Sequence, residues 1–271
     1  MLTLIVISFL LSAIAVQLFM RRARRHARRY GTDMPQRFHK GHVPRLGGAG
    51  MLLGTGVAWL VAGLPSDPFN VNWPIKASGI ALLCIAPAVL AGIVEDLTQR
   101  VSVRYRLGIT IGSALLLCWL LKLGVARTGI PFVDGWLQAW PYAAMLFAVV
   151  AIGGLPHAFN IIDGYNGLAG TVAILVCLAI SHVALQVGDR QLAAMVICLV
   201  GATAGFLIWN YPRGKIFAGD GGAYVWGMVI ALAAVTLVQR HRVVSPWFPM
   251  LLLIYPVWET VFSVYRRFVR G

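Results

Sequence analysis

The sequence is short of charge, and of negative charge above all. Of its 271 residues only 12% are charged, and just nine are Asp or Glu. Ordinary soluble domains carry about 25% charged residues. The longest polar stretch is the segment from Arg21 to Leu46. These shortages exclude a soluble globular enzyme, a disordered tail and a separate soluble domain. Cysteine is equally sparse. Cys84, Cys118, Cys177 and Cys198 lie in apolar blocks with neither CxxC nor metal-ligand spacing. That excludes a disulfide scaffold and reads them as small core residues. No internal repeat is visible.

What is abundant is apolar sequence, 59% of the chain, gathered in blocks. About 20 apolar residues cross a bilayer. The blocks predict spans near 1–20, 47–64, 76–94, 105–123, 141–158, 168–187, 191–210, 222–239 and 247–265. The first is not a cleaved signal peptide, because its cluster Arg21, Arg22, Arg24, Arg25, Arg28 and Arg29 follows the apolar run rather than preceding it. Alternating sides along nine spans puts 17 Lys and Arg on one face and 6 on the other. Cytoplasmic loops are the basic ones. The expected fold is therefore all-α: a polytopic transmembrane helix bundle of about nine spans, N-terminus outside and C-terminus cytoplasmic. Gly50 and Gly54, four apart, predict a close helix contact in the second span. The formal charge of +14 reports loops at an anionic leaflet, not a nucleic-acid partner.

Each acid in such a chain needs a reason, because a carboxylate near hydrocarbon is costly. Asp67, Asp134 and Asp189 fall in expected outer loops, and Asp33 can balance the arginines around it. Glu95, Asp96, Asp163 and Asp220 fall at the inner ends of spans or in short inner loops, all on one side. Glu259 falls inside the last span and reads as a hydrogen-bonding or cavity-lining acid. Four acids on one face without matching cations suit a divalent metal and phosphates, since Mg²⁺ takes one or two carboxylates and completes its shell with phosphate and water. Glu95 and Asp96 are helix neighbours and cannot share a face, so they do different jobs. The run Asn160-Ile161-Ile162-Asp163-Gly164-Tyr165-Asn166-Gly167-Leu168 and the run Phe217-Ala218-Gly219-Asp220-Gly221-Gly222 each place an acid beside glycines at a helix N-terminus. That pattern serves phosphate binding and also plain helix capping.

Four segments, taken in order, carry a resemblance: Pro44-Arg45-Leu46-Gly47-Gly48, Glu95-Asp96, Asn160 to Leu168, and Phe217 to Asp220. They resemble the PxxGG, Asp-Asp, NxxDGxDGL and FxGD motifs of the polyprenyl-phosphate N-acetylhexosamine-1-phosphate transferases, the MraY/WecA-type family, glycosyltransferase family 4. The resemblance covers most of the chain and reads closer to the WecA side than to peptidoglycan synthesis. It implies a bacterial inner-membrane enzyme with a cytoplasmic active face. That enzyme would use Mg²⁺ to transfer an N-acetylhexosamine 1-phosphate from a UDP-sugar to undecaprenyl phosphate. UMP would leave, and an O-antigen, capsule or exopolysaccharide would begin.

The resemblance also implies roles. Asp220 would ligate the metal. Asp96 and Asp163, with Glu95, would be the catalytic acids. Asn160 would support the metal-diphosphate site, Gly164 and Asn166 would line the uracil pocket, and Phe217 would stack on the base. Lys40 and Arg45 would contact phosphates. Glu95 stands where the family has the first Asp of its pair, and Asn166 where it has the second Asp of its loop. The chain stops at Gly271, before a His-x-His loop that the family carries. This predicts a single integral-membrane domain over 1–271, truncated before that loop. A homodimer is a further expectation. A membrane transporter and a non-catalytic truncated homologue are the alternatives the residues leave open.

Overall fold

The computed structural model describes residues 1–27, 43–64, 71 and 75–270, with the side chains of 23–27 and 270 excepted. These residues form eleven helices: α1 Leu2–Ala27, α2 Gly47–Ala62, α3 Ile75–Thr98, α4 Val103–Leu121, α5 Pro131–Ala139, α6 Pro141–Ile162, α7 Leu168–Gln186, α8 Arg190–Asn210, α9 Gly219–Arg240, α10 Trp247–Leu252 and α11 Ile254–Arg270. No strand occurs among the described residues. Seven helices, α1, α3, α4, α6, α7, α8 and α9, are long and apolar enough to cross a membrane by length and composition, and α2 is a shorter apolar helix.

Local chemistry sets the boundaries. Pro131 and Pro141 open α5 and α6 at the first helical position, where a missing N–H costs nothing. Asp189 caps α8 by accepting from the Leu192 amide at 2.9 Å. Gly167, at φ +81, turns the chain from α6 into α7 in a backbone region that side chains disfavour.

Helix α9 is the axis of the bundle, buried along the whole of its membrane-length window. It meets α6 where Gly227 lies against Pro156, so close that an added Cβ would stand 2.3 Å from the proline Cα. Helix α1 packs on α2 and α8 through small residues. Gly50 and Gly54 lie against Val16, Ser8 and Ser12 of α1, and Gly201 and Gly205 of α8 lie against Ser8 and Ala13. The Ser12 hydroxyl donates to the Ala202 carbonyl at 2.7 Å across that seam. The expected close contact at Gly50 and Gly54 is thus made with α1. The outer surface remains apolar: Leu83, Leu146 and Leu175 are all exposed. In water that would be a liability, whereas in a bilayer such a surface faces solvent of its own kind. All four cysteines are buried and free.

The block at 247–265 differs from the span expected there. It forms α10 and α11, divided at Leu253, and neither is among the seven. Helix α11 packs against α6. Pro256 is buried and Glu259, Thr260 and Ser263 are half-buried, while Trp258, Val261, Phe262 and Tyr265 are exposed. Its polar stripe is turned to the protein and its apolar stripe away. At 17 residues α11 is shorter than the seven, and the polar stripe, with Arg266 and Arg267, lowers its apolarity further.

The end of the bundle where α9 finishes is tied together by hydrogen bonds. Asp189 accepts from Arg240 at 3.1 Å and pairs with His241 at 3.0 Å. Arg127 donates to the carbonyls of Val238 and Arg242, each at 2.9 Å. Gln239 bridges the Gly124 amide and the Lys122 carbonyl. Helix α5, inside what the sequence reads as an outer loop, joins this end through Asp134. That carboxylate accepts from the Thr128 hydroxyl at 2.7 Å, and these bonds hold it below the usual carboxylate range.

Candidate active site at the polar end of the bundle

At the opposite end the starts of α2, α4, α7 and α9 meet the ends of α3, α6 and α8. The 44–48 and 217–222 loops pair through their backbones. Phe217 donates its amide to the Pro44 carbonyl at 2.9 Å, and the amides of Gly47 and Gly48 donate to the carbonyls of Phe217 and Ala218, each at 3.0 Å. Such close pairing demands glycine. An added Cβ on Gly48 would stand 2.1 Å from the Gly222 nitrogen, and one on Gly92 of α3 would stand 2.6 Å from the Gly221 nitrogen. Gly219 takes φ +71, and its Cβ position is filled by the Asp96 carboxylate and the Arg45 carbonyl.

Asp96 is the peg that seats α9. It is buried, at 2% exposure, and its two oxygens accept from the amides of Asp220 and Gly221, each at 2.9 Å. Those are two of the free N–H groups of a helix N-terminus, and an anion there is favoured by the helix dipole as well. Glu95 points elsewhere: its carboxylate accepts from the Val101 amide at 2.7 Å and closes the turn between α3 and α4. The two neighbouring acids thus go to different places, as their helix spacing requires.

Asp220 stands at the centre. One carboxylate oxygen accepts from Asn160 Nδ2 at 2.8 Å, and the other is paired with the Arg106 guanidinium. Asp163 follows the end of α6. It stays partly open to solvent yet lies deep among protein atoms. Burial, and next the Asp220 charge, push it up to about 7, with Arg45 drawing it the other way. Around this group, His157 Nε2 lies 3.0 Å from the Thr110 hydroxyl, and its ring meets Tyr224 edge-on at 5.3 Å.

The loop of Gly164 and Asn166 is built from α8. Asn210, buried, accepts from the Gly167 amide at 2.7 Å and donates to the Ile216 carbonyl at 2.9 Å. Asn166 donates to the Pro212 carbonyl at 3.1 Å, and its Oδ1 is buried without a partner. Gly164 is exposed, with open space around its Cβ position. Phe217 and Arg45 are half-buried.

The structure therefore brings together Asp96, Asp163, Asp220, Asn160, Phe217 and Arg45. It sets Asn166 and Gly164 on the adjoining loop and turns Glu95 to the α3–α4 turn. Lys40 lies outside the described residues. Arg106 and Asn210 are absent from the sequence expectation. Arg106 carried a usable signal: an arginine at the start of an apolar span needs an acid, and the acid had to come from the same end.

The donor set is one of hard oxygens. Asp220 and the side-chain carbonyl of Asn160 suit a divalent cation that takes the rest of its shell from outside the protein. No cluster of three His, Cys, Asp or Glu that would cage a metal occurs among the described residues.

Fold and site together define a multi-pass helical membrane protein with an acid- and amide-rich centre at one end. Residues 78–238, more than half of the chain, match the sequence model described as Glycosyl transferase family 4, and the chain belongs to that family. It is 27% identical over 274 residues to a protein of Bacillus subtilis (strain 168) named "Probable undecaprenyl-phosphate N-acetylglucosaminyl 1-phosphate transferase", a match covering 97% of this chain and 72% of that protein. It is 30% identical over 212 residues to a phospho-N-acetylmuramoyl-pentapeptide-transferase of Moorella thermoacetica, covering 76% of this chain and 64% of that one. An undecaprenyl-phosphate alpha-N-acetylglucosaminyl 1-phosphate transferase of Thermotoga maritima is 28% identical over 186 residues, covering 68% and 53%. The chain thus spans between about half and three quarters of these relatives.

Proposed function

We propose that the chain transfers an N-acetylhexosamine 1-phosphate from a UDP-sugar to undecaprenyl phosphate and starts a lipid-linked envelope glycan such as an O-antigen, capsule or exopolysaccharide. An oxygen of the lipid phosphate attacks the sugar-bearing phosphorus, the bond from that phosphorus to the bridging oxygen breaks, and UMP leaves with that oxygen. The product is a polyprenyl-diphosphate sugar. The observation that carries this reading is the meeting of all four motif segments around Asp220, in a member of glycosyl transferase family 4.

The chain's residues have distinct tasks in it. Two anionic phosphates must approach, so positioning and charge neutralisation are the main work. Asp220, with the side-chain carbonyl of Asn160, would hold Mg²⁺, which when bound neutralises phosphate charge. Asp96 fixes the start of α9 and so the place of Asp220. Both of its oxygens are engaged there, which favours a positioning role over proton abstraction. Asp163, partly open to solvent beside Asp220, is the better group to take a proton from the lipid phosphate. Arg45 faces incoming phosphate. Gly164, Asn166 and Phe217 receive the uracil, with the spare acceptor Asn166 Oδ1 on that loop. The site end faces the cytoplasm, where nucleotide sugars are made. The test is direct: detergent-purified protein receives Mg²⁺, undecaprenyl phosphate and a panel of UDP-sugars. A lipid-linked sugar diphosphate formed from one donor supports the reading. No such product from any donor, with the protein folded, contradicts it.

A further inference from the structure

We infer that Arg106 is a resident counter-ion that a divalent cation must displace from Asp220, and that its release presents the guanidinium to a substrate phosphate. The inference rests on Asp220 being a cation ligand, as proposed above. Both Asp220 oxygens are occupied, one by Asn160 Nδ2 and the other by Arg106. A guanidinium and a metal ion on one carboxylate oxygen repel each other strongly at that range, which favours one at a time. Binding of the cation therefore expels the guanidinium.

The expelled group has a use. An arginine presents five N–H donors in a rigid fork matched to phosphate and carboxylate oxygens. Here the Nε donor is buried and without a partner. A buried donor left unsatisfied is costly, and an anion seated beside Asp220 would satisfy it. Arg106 stands on the first turn of α4, held by the backbone bond from its amide to the Ser102 carbonyl at 3.1 Å. Its side chain can reorient by rotamer change while the helix stays in place. Cation and phosphate then help each other to bind, each favouring the state in which Arg106 has left Asp220.

The test measures Mn²⁺ binding to the full chain in detergent, without substrates, by calorimetric titration and thermal unfolding. The chains compared are wild type, Arg106→Gln, Arg106→Lys and Asp220→Asn. Arg106→Gln removes the competing charge. It should bind Mn²⁺ on the order of tenfold tighter, the scale of one charge-assisted hydrogen bond. It should melt lower without metal and gain more in Tm from Mn²⁺ than wild type does. Arg106→Lys keeps a cation and should bind Mn²⁺ much as wild type does. A purely structural role for Arg106 predicts the opposite sign, weaker Mn²⁺ binding in Arg106→Gln. Equal or weaker binding there, with binding abolished in Asp220→Asn, overturns the exchange and leaves Asp220 as the ligand. Binding unchanged in Asp220→Asn overturns both. Sulfate at millimolar concentration gives a check on the wild type alone: it should tighten Mn²⁺ binding. Its failure to do so overturns the proposal whether or not the variants fold.

Discussion

The two ends of the bundle are built from the same materials and use them differently. At the end where α9 finishes, the charged groups answer one another. Asp189 meets Arg240 and His241 while it caps α8, and Arg127 is spent on main-chain carbonyls. At the end where α9 begins, charges are gathered and left incompletely matched. The Asp220 charge raises the cost of ionising Asp163, Arg106 keeps an unpartnered donor, and Asn166 an unpartnered acceptor. A satisfied network stabilises, whereas an unsatisfied one costs stability and is kept where it does chemistry. On the function proposed above, the first end serves stability and the second catalysis.

The largest expected effect separates those assignments. Asp220→Asn keeps the hydrogen bond from Asn160 in reach but removes the charge. Turnover should fall about a thousandfold, about 4 kcal/mol of barrier, with the protein still folded. Steady-state UMP release and a melting curve together check this. Gly48→Ala comes next. Its methyl would meet the backbone of Gly222, and overpacking of this kind costs about 1–3 kcal/mol. Here stability and activity should fall together, because the clash sits at the seat of α9.

At the other end, Asp189→Asn keeps the cap, because Asn and Asp cap alike, but loses the ion pairs; it should lower stability by about 1 kcal/mol, with turnover within about twofold of wild type. The sign of its pH dependence follows from the carboxyl. Burial raises its pKa, but hydrogen bonds from His241, the Leu192 amide and Arg240 outweigh that and hold it below the usual range. Its contribution is therefore complete above the unfolded value of about 3.9 and is lost as pH falls through the folded one. Acid melts should show that loss in wild type and not in Asp189→Asn. Asp163 behaves oppositely. Its folded value of about 7 exceeds the unfolded one, so in the metal-free protein it subtracts stability as pH rises from about 4 toward 7. Asp163→Asn should flatten that slope in melts at pH 5 and pH 8. The smallest effect belongs to Glu95→Gln, which keeps an acceptor for the Val101 amide. A change in turnover beyond about fivefold would put Glu95 in the chemistry rather than in the turn.

Apolar blocks made seven helices of membrane-crossing length legible, because a run of about 20 apolar residues has few other uses. The acids at one end were legible too, because scarcity itself marked Asp96, Asp163 and Asp220. Their contacts were not. Nothing in a helical stretch ending Glu95-Asp96 tells that the second acid will seat a helix that begins more than a hundred residues later. Arg106 was marked by its place at the start of an apolar span as needing an acid, but only tertiary packing shows that the acid is Asp220. The last block shows the same limit. Its apolar content resembles a span, but Glu259, Ser263, Arg266 and Arg267 recur at helical spacing, and they make α11 two-faced. Helix α5 was passed over because nine residues between turns carry little periodic signal.

The most direct test of the central claim is lipid-dependent UMP release measured side by side in wild type, Asp220→Asn and Asp189→Asn, with melting curves on the same preparations. The account predicts that Asp220→Asn loses turnover but not fold, and that Asp189→Asn loses Tm but not turnover. Asp220→Asn turning over at the wild-type rate would contradict it.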